Sequence, residues 1–423
     1  MKFNNKTIYV ILRNKIIGID SILPTCMEMH SRCGYRFNFI SFESATYQYI
    51  MNDNIVIRDA INSIGKIELL SPDRYKLHYM SKIFFIFYFL KIAFYMVIKN
   101  NHIMHSAHLH VKPLVWIRWL FKKSNIIFME KKSYGMDSEI DFTSLKNHDL
   151  KFIYNKRSTH DEFYKNNIDM FSHPPLLYAG TLIGYDKKWN YFKHPLANGL
   201  KNIVLKDMRN NSGWIDFINN NAHNYISREI PEYNFESKGI LVFLATRITR
   251  ETDSCALNEF VEALRLLSKY TETFPLFIKL HTFSDIYFIN DLINIAMGDK
   301  EKKRCVFTKL HPAVLATKAV ISAFSNSGTL MKEFSELGTP VVNLQINKGV
   351  LQPSYLESSI ELSKESLEKR YRIREIFSDY TFSDVHSFDK FMKTVVKSSR
   401  KLDSESYLVN SVKNVTNAEL CIF

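Results

Sequence analysis

The chain has 423 residues, of which 46% are hydrophobic and 23% charged, a composition typical of a soluble globular protein. This composition excludes a disordered chain, a collagen-like chain and a small disulfide scaffold, and the length predicts about two to three domains. The net charge of +13 favours an anionic partner: nucleic acid, an anionic membrane face, or an acidic small molecule or glycan.

The basic residues do not form a nucleic-acid-binding pattern. They are scattered along the chain, with no run of five or more. Zinc-finger spacing, an RRM-type aromatic motif and a basic helix with heptads are all missing from the sequence, so nucleic acid is not an expected partner.

The first part of the chain alternates between strand-like and helix-like segments. Apolar runs predict strands near residues 7–12, 37–41, 66–70, 102–106, 125–129 and 201–206, and helical spacing predicts helices near residues 20–32, 56–64 and 113–121. Residues 137–200 are less regular. Repeated β-α-β alternation is typical of a parallel sheet covered by helices on both faces.

Residues 83–98, with the sequence IFFIFYFLKIAFYMVI, resemble a membrane span. A span needs roughly 20 apolar residues, and this run is shorter and contains Lys91 near its middle. We expect a helix buried against another face of the protein; peripheral membrane contact is the second interpretation and a true span the third.

A polar stretch near residues 228–239 predicts a domain boundary, after which the alternation restarts. Strands are predicted near residues 240–245, 276–280, 305–308, 319–324 and 340–344, and helices near residues 256–270, 285–297, 312–317 and 328–337. We therefore predict an α/β protein with two Rossmann-like domains that face a cleft, residues 1–230 and 231–360, followed by a helical extension over residues 361–423. Ligands of such sheets bind outside the carboxyl ends of the strands.

The strongest motif is AVISAFSNSGTLMKEFSELGTPVVNL, residues 319–344. A buried strand leads into small polar residues that open a helix, and such a helix start offers free backbone N–H groups to phosphate. The candidate phosphate-binding residues are Ser325, Asn326, Ser327, Gly328 and Thr329. Glu333 lies one helical turn after Thr329, where its carboxylate suits ribose hydroxyls. The alternative is a helix-capping sequence without a ligand.

Basic side chains follow the strands of the second domain. Lys279 and His281 end one strand on the same side, and His311 follows the next strand. Arg247 lies in the loop after the strand at residues 240–245. Together they suit an anionic donor, and the alternative is solvated charge at strand ends.

Three carboxylates fall where cleft residues fall in such sheets. Glu130 follows the strand at residues 125–129, Asp207 follows the strand at residues 201–206, and Asp253 lies in the loop after residues 240–245. Each could instead cap a helix or pair with a cation.

Metal and redox chemistry have little support in the sequence. A loose cluster of His105, His108 and His110 has no carboxylate partner nearby, and there is no DxD motif, so we expect no metal site. The five cysteines form no CxxC pair, which predicts reduced thiols in a cytosolic protein. The first residues, MKFNNKTIYVILRNKIIG, are not expected to form a signal peptide.

The motifs of the second domain resemble a known family. KLH, KLHP and SNSGTLMKE followed by GTPVV are similar to the C-terminal lobe of GT-B-fold glycosyltransferases of bacterial surface polysaccharides. The pattern is most similar to the capsule and lipopolysaccharide Kdo transferases, with polysialyltransferases and CDP-glycerol transferases as relatives. UDP-N-acetylglucosamine 2-epimerases share a similar serine–glycine turn and glutamate. The resemblance covers residues 239–345 and is only topological over residues 1–210.

The resemblance implies a nucleotide in the C-terminal lobe and an acceptor in the first lobe. It implies no cofactor besides the substrate itself, a CMP-activated donor such as CMP-Kdo. By position, Asp207 is the candidate nucleophile and Glu130 the candidate acid/base residue. The family often has a proline after its lysine-x-histidine; here Thr282 follows His281, whereas Pro312 follows His311.

We therefore expect a metal-independent glycosyltransferase of capsule or lipopolysaccharide O-antigen synthesis, retaining if it follows the Kdo transferases. Its acceptor would be a glycan or a lipid-linked glycan. The expected location is the cytoplasm, with peripheral contact to the anionic inner membrane. The alternatives are a UDP-sugar 2-epimerase-like enzyme and a non-catalytic nucleotide-sugar-binding protein.

Overall fold

The computed structural model describes twelve continuous segments of the chain and ten further helical positions. The segments are residues 7–12, 16–41, 43–70, 101–106, 122–129, 179–184, 197–204, 211–231, 239–245, 247–281, 284–325 and 330–399, and the further positions are residues 83, 86, 87, 89–91, 93, 94, 98 and 192.

Seven strands form the first sheet, and all of them are parallel. They pair in the order β3-β2-β1-β4-β5-β6-β7. The strands are β1 Thr7–Leu12, β2 Arg36–Ser41, β3 Gly65–Leu69, β4 His102–His105, β5 Ile126–Met129, β6 Thr181–Gly184 and β7 Lys201–Val204. The order reverses between β1 and β4, and β4, β5 and β6 are buried throughout. Strands of a parallel sheet covered on both faces have this burial pattern.

Six strands form the second sheet, again all parallel, in the order β10-β9-β8-β11-β12-β13. They are β8 Ile240–Leu244, β9 Leu276–Lys279, β10 Cys305–Thr308, β11 Ala319–Phe324, β12 Val341–Leu344 and β13 Tyr380–Phe382. This is the Rossmann strand order, with its reversal between β8 and β11. The two parallel sheets confirm the predicted α/β class.

The helices connect successive strands. They are α1 Ile16–Cys33, α2 Ser44–Gln48, α3 Ile55–Ile64, α4 Ser212–Glu229, α5 Ser254–Ser268, α6 Ile286–Ala296, α7 Asp299–Lys302, α8 Pro312–Ala316, α9 Leu330–Glu336, α10 Pro353–Leu356, α11 Lys364–Phe377 and α12 Val385–Ser399, with a π-helical turn at Tyr49–Asp53 and a 3-10 turn at Lys123–Asn125. Side chains fix several starts: Asn54 accepts from the Ile57 N–H at 3.2 Å and Asp285 from the Phe288 N–H at 3.1 Å.

The core of the second sheet is built on the apolar face of α5. Its apolar side chains Leu257, Phe260, Val261, Leu264 and Leu267 are all fully buried. Burying one such side chain contributes about 1.5–3 kcal/mol. Most of the other residues of this helix are buried too, so α5 lies inside the second unit rather than on its surface.

The segment at residues 83–98 is helical at its described positions. Phe89 and Ala93 are buried in the core of the first sheet, where they lie with Ile103 and Phe128. Ile86, Phe87, Leu90, Phe94 and Ile98 are exposed, so this helix is buried on one side only. Among the described residues, no helix is both long and apolar enough to cross a membrane.

Contacts divide the chain into two units: Met1–Trp214 with Asn414–Phe423, and Ile215–Lys413. The second unit continues beyond residue 360, because β13 pairs in parallel with β12 and α12 buries Phe388 and Met392 in the core of the second sheet. The segment that we expected to be a helical extension therefore contributes a strand to the sheet.

The cysteines differ from the expectation of five reduced thiols. Cys33 is disulfide-bonded. Cys26, Cys255 and Cys305 are free, and burial raises the pKa of the Cys26 and Cys305 thiols, the latter to about 12. Such thiols react slowly because the thiolate is scarce.

Candidate functional site

The strand order of the second sheet reverses between β8 and β11, and this reversal locates the candidate site. The two strands are paired in register, Ser322 with Val242 and Ala323 with Phe243. Their carboxyl ends therefore open at the same edge, which is where ligands bind to sheets of this order. Ser325 follows β11 directly at this edge and is buried.

The strand β9 brings two of the predicted basic residues to the same edge. The Ala245 N–H donates to the Lys279 carbonyl at 3.2 Å, which joins the ends of β8 and β9. The Lys279 ammonium is exposed and donates to the Lys309 carbonyl at 3.2 Å. His281 follows two residues later and is exposed.

His281 and Arg247 lie close enough to interact. Partial burial of the imidazole, and then the positive charge of Arg247, lower the pKa of His281 below its usual value. The imidazole is therefore neutral at neutral pH, so it can donate or accept a hydrogen bond while Arg247 supplies the charge. The structure thus brings Arg247 and His281 close together. Lys279 ends β9 at the same edge, and its ammonium contacts the Lys309 carbonyl.

His311 is the N-cap of α8. Its Nδ1 accepts a hydrogen bond from the Ala313 N–H at 3.1 Å, and the side chain is only 4% exposed. In the neutral ring the proton is therefore on Nε2. This placement gives His311 a structural role at the strand end, and its predicted part in donor binding stays a prediction.

Glu333 lies in the first turn of α9 and is 1% exposed. The helix ends just before Gly338, Thr339 and Pro340. Gly338 has a φ of 79°, and the Thr339 N–H donates to the Phe334 carbonyl at 3.0 Å. A positive φ at this position is the usual glycine-based helix end. Glu333 is therefore held in the first turn of a short, well-terminated helix.

Glu229, at the end of α4, is a site residue that the sequence interpretation missed. Burial raises the pKa of its carboxyl; a hydrogen bond from Thr308 and the charge of Lys279 oppose that effect. The Thr308 hydroxyl also accepts from the Leu310 N–H at 3.0 Å. A half-buried carboxyl with a raised pKa beside a lysine is an arrangement suited to proton transfer.

The carboxylate Asp253 has a structural role. It caps α5 by accepting from the Ala256 N–H at 2.8 Å, and its second oxygen pairs with Arg370 at 2.6 Å. Arg250, which lies in the same loop, stacks over the Phe288 ring at 5.4 Å. The sequence left two interpretations open for Asp253, a cleft residue or a cap and ion-pair partner. The structure shows it as a cap and ion-pair partner.

A buried ionic cluster supports the neighbouring strand β12. Arg374 is fully buried and donates to Glu259, to the Asn343 side chain and to the Leu344 carbonyl, each at 2.8 Å. The Tyr371 hydroxyl donates to the other Glu259 oxygen at 2.8 Å. Burial, a hydrogen bond with Cys255 and the charge of Glu259 raise the pKa of Tyr371. The cluster ties α5 and α11 to the strand that follows the Ser325 turn.

Several predicted site residues lie outside the described residues: Glu130, Asp207, Asn326, Ser327, Gly328 and Thr329. His105 is in β4 and fully buried, whereas His108 and His110 also fall outside. Within the described part of the chain, no group of three or more His, Cys, Asp or Glu side chains is arranged to hold a metal ion.

Comparison with known proteins gives likenesses of structure only. No family model and no curated protein matches the sequence. Similar solved structures include the UDP-GlcNAc 2-epimerase from Neisseria meningitidis bound to UDP-GlcNAc, which is 11% identical with a TM-score of 0.46 and 96% of each chain covered. The UDP-GlcNAc 2-epimerase from Methanocaldococcus jannaschii is 10% identical with a TM-score of 0.47, covering 92% of this chain and 99% of that one.

A plant protein gives a likeness of the same order. UGT2 from Phytolacca americana, complexed with UDP-2fluoro-glucose and pterostilbene, is 10% identical with a TM-score of 0.44, covering 95% of this chain and 96% of that one. At this identity and TM-score, none of the three carries a functional conclusion for this chain.

Proposed function

We propose that the chain is a nucleotide-sugar enzyme, and specifically a metal-independent glycosyltransferase of bacterial capsule or lipopolysaccharide O-antigen synthesis. It transfers Kdo or a similar acidic sugar from a CMP-activated donor to a glycan or lipid-linked glycan. The observation that carries the proposal is the proximity of Arg247 and His281 beyond the carboxyl ends of β8 and β9, with Lys279 at the end of β9, beside the strand-order reversal of the second sheet.

The charge at this edge is a local feature. Residues 215–423 contain 26 Lys and Arg against 26 Asp and Glu, a net charge of zero. Two cations, Arg247 and Lys279, at the carboxyl edge of a sheet in a region with no net charge favour a ligand that carries its own negative charge. A CMP-activated acidic sugar has two such groups, a phosphate and a carboxylate, which one arginine and one lysine can match.

In this proposal the second domain binds the donor. Arg247 and Lys279 neutralise its anionic groups, His281 donates a hydrogen bond, and the turn that begins at Ser325 binds the phosphate. Glu333 binds the ribose, and His311 completes the donor site. Fixed cations can stabilise the departing phosphate without a metal ion, which is the basis for proposing metal independence.

The chemistry is proposed to come from the first domain. Asp207 is the nucleophile and Glu130 the acid/base residue, both placed by the sequence at the ends of strands. A transfer that retains the anomeric configuration is most simply achieved by two displacements, which require such a pair of carboxylates.

A second candidate function is a UDP-sugar 2-epimerase-like reaction. The observation that favours it is Glu229, a carboxyl with a raised pKa next to Lys279, because epimerisation requires proton transfer at a carbon atom. The serine–glycine turn and Glu333 do not separate the two functions, since the resemblance assigns them to both classes.

The donor site is tested by calorimetric titration of CMP, CDP and UDP into the wild-type chain and into Lys279→Ala, Arg247→Ala and Lys318→Ala. We expect CMP to bind and each of the first two variants to weaken it at least tenfold, about 1.4 kcal/mol. Lys318 is the matched control, because it precedes β11 and so lies at the opposite edge of the same sheet. Equal affinities in all four proteins would refute the site.

The reaction is tested by incubating the wild-type chain, in EDTA, with CMP-Kdo and a lipopolysaccharide-type acceptor, or with UDP-N-acetylglucosamine alone. Transfer of Kdo supports the proposal, and loss of transfer in EDTA that magnesium restores would refute metal independence. A new UDP-sugar epimer in the second reaction would establish the epimerase instead.

A further inference from the structure

The helix within residues 83–98, here the apolar helix, presents large hydrophobic side chains to the solvent. Phe87 is 67% exposed, Phe94 63%, Ile98 62%, Leu90 48% and Ile86 43%. At 3.6 residues per turn, these five positions fall within about 120° of arc on the helix surface. An apolar stripe of this size on a monomer is a mark of an interaction surface.

The side of the helix next to the stripe is already buried. Phe89 and Ala93 are 3% and 5% exposed and belong to the core of the first sheet. The helix therefore cannot rotate to bury its apolar stripe without removing these two side chains from the core. The exposed stripe is the outer face of a docked helix.

Basic residues lie on both sides of the apolar helix in the sequence, and the same stretch of sequence contains no carboxylate. Residues 74–129 contain nine Lys and Arg and no Asp or Glu. Within this stretch Lys91, Lys122 and Lys123 are described and exposed. The net charge of residues 1–214, 30 basic against 17 acidic residues, accounts for the whole excess of +13.

Two of these lysines lie at the sheet edge that the apolar helix approaches. The helix precedes β4, which begins at His102, so its last residues approach the amino edge of the first sheet. Asn125 donates from its side chain to the Asn101 carbonyl at 3.3 Å, which places the starts of β4 and β5 side by side. Lys122 and Lys123 come immediately before β5 at this edge.

We propose that the apolar stripe lies in the interface of an anionic lipid bilayer, with the surrounding lysines on the lipid headgroups. An amphipathic helix parallel to the membrane buries its apolar face at the boundary of headgroups and acyl chains, and basic residues strengthen its binding to anionic lipid. Lys91 lies at the margin of the stripe, where its long side chain can extend to a phosphate.

The charge distribution favours lipid over a second copy of the chain. Two copies meeting through this face would bring two carboxylate-free basic stretches together, and like charges across an interface oppose association. An anionic bilayer supplies both an apolar phase and the opposite charge. This inference is independent of the proposed donor and of the reaction.

The test is co-sedimentation of the full chain with vesicles of phosphatidylcholine alone or with about 30% phosphatidylglycerol, a content that gives a negative surface potential. We expect binding to the anionic vesicles, little binding to neutral ones, and weaker binding at high salt. Phe87→Ser with Leu90→Ser should lower the partition coefficient at least tenfold. Ile360→Ser with Ile376→Ser is the matched control, because Ile360 and Ile376 are 56% and 66% exposed on the second unit, and it should bind as the wild type does.

Circular dichroism melting of both double variants checks that they remain folded. Wild-type binding that the Phe87 and Leu90 changes leave intact would overturn the proposal, as would equal binding to neutral and anionic vesicles. Sedimentation velocity without lipid tests whether a second copy of the chain covers the stripe instead. A concentration-dependent dimer that the Phe87 and Leu90 changes convert to monomer would assign the stripe to a second copy and refute the lipid assignment.

Discussion

The two sheets share a topology but differ in their electrostatics. Each is fully parallel, with one reversal of strand order, between β1 and β4 in the first and between β8 and β11 in the second. Residues 1–214 carry the whole net charge of the chain, whereas residues 215–423 are neutral. The first region has a helix with an exposed apolar stripe, and the second has Arg247 beside His281 next to its strand reversal.

This difference shows that the fold depends on buried apolar residues, whereas the surface charges and exposed side chains can vary independently of it. Both sheets need only buried apolar strands and covering helices, which the two regions supply in the same way. The charges and exposed side chains are then free to differ. In our proposals this difference reflects separate roles, because the second region binds the anionic donor while the first provides the catalytic carboxylates and meets the membrane.

Asp207→Asn gives the sharpest test of this division and the largest expected effect. The variant keeps the shape of the side chain and removes its nucleophilic charge, so we expect transfer to fall by about 1,000-fold, or roughly 4 kcal/mol. Donor binding, assigned to the other region, should be unchanged by calorimetry. Glu130→Gln is the companion variant: without a base to take the proton of the acceptor hydroxyl, turnover should also fall while donor binding is kept.

A variant at Asp207 that retains more than about a tenth of wild-type turnover, a loss below roughly 1.4 kcal/mol, would exclude it as nucleophile. A variant that loses donor binding as strongly as turnover would break the comparison, because donor binding and chemistry would then not be divided between the regions.

Arg374→Ala tests what stabilises the second region. Removing one partner of a buried ion pair leaves Glu259 charged and uncompensated, so we expect a loss of about 3–5 kcal/mol in the free energy of unfolding. The measurement is urea denaturation. Arg372→Ala is the control: Arg372 is on the same helix but exposed, and its substitution should cost less than about 0.5 kcal/mol. Similar losses of unfolding free energy in both variants would show that the buried cluster stabilises the fold no more than an exposed arginine does.

Glu229→Gln is expected to have the smallest effect, and its sign depends on pH. The pKa of Glu229 is raised in the folded chain, so the folded state favours the protonated carboxyl. Its stabilising contribution is present below the unfolded pKa and is lost as pH rises through the folded pKa. At neutral pH the neutral glutamine should therefore raise Tm, by at most about 4 °C for a domain of this size.

The gain in Tm from Glu229→Gln should shrink as the pH falls toward the ordinary glutamate pKa of about 4.3. Differential scanning fluorimetry across this range measures it, with Glu251→Gln, an exposed glutamate, as the control. A gain that grows on acidification would contradict the raised pKa.

Most strands were predictable because each is a short run of apolar residues between polar ones. The exceptions are β6 and β13. Residues 181–184 lie in a region without regular alternation, and Tyr380–Phe382 is a three-residue edge strand whose side chains are largely exposed. Apolar periodicity indicates burial, so it cannot identify a strand such as β13, which buries little.

The site was predictable where its residues follow strands. Lys279 and His281 end β9, and Arg247 follows β8, so strand prediction alone indicated their common edge. Glu229 was missed because its sequence neighbours resemble a polar linker, and its environment comes from Thr308, far away in the chain. Asp253 was correctly weighed as a possible cap, but its partner Arg370 is 117 residues away, beyond the reach of local patterns.

The strand-order reversal also determines how long the central strands of the nascent chain remain without one of their neighbours. Ile8 of β1 pairs with His102 of β4, 94 residues later, and Ile240 of β8 pairs with Ala319 of β11, 79 residues later. At a synthesis rate of about 5–20 residues per second, each central strand waits roughly 4–19 s for one of its neighbours. During that time an apolar strand edge is open on the ribosome, twice in one chain. Slowed translation should therefore lower the yield of native protein unless chaperones protect these edges.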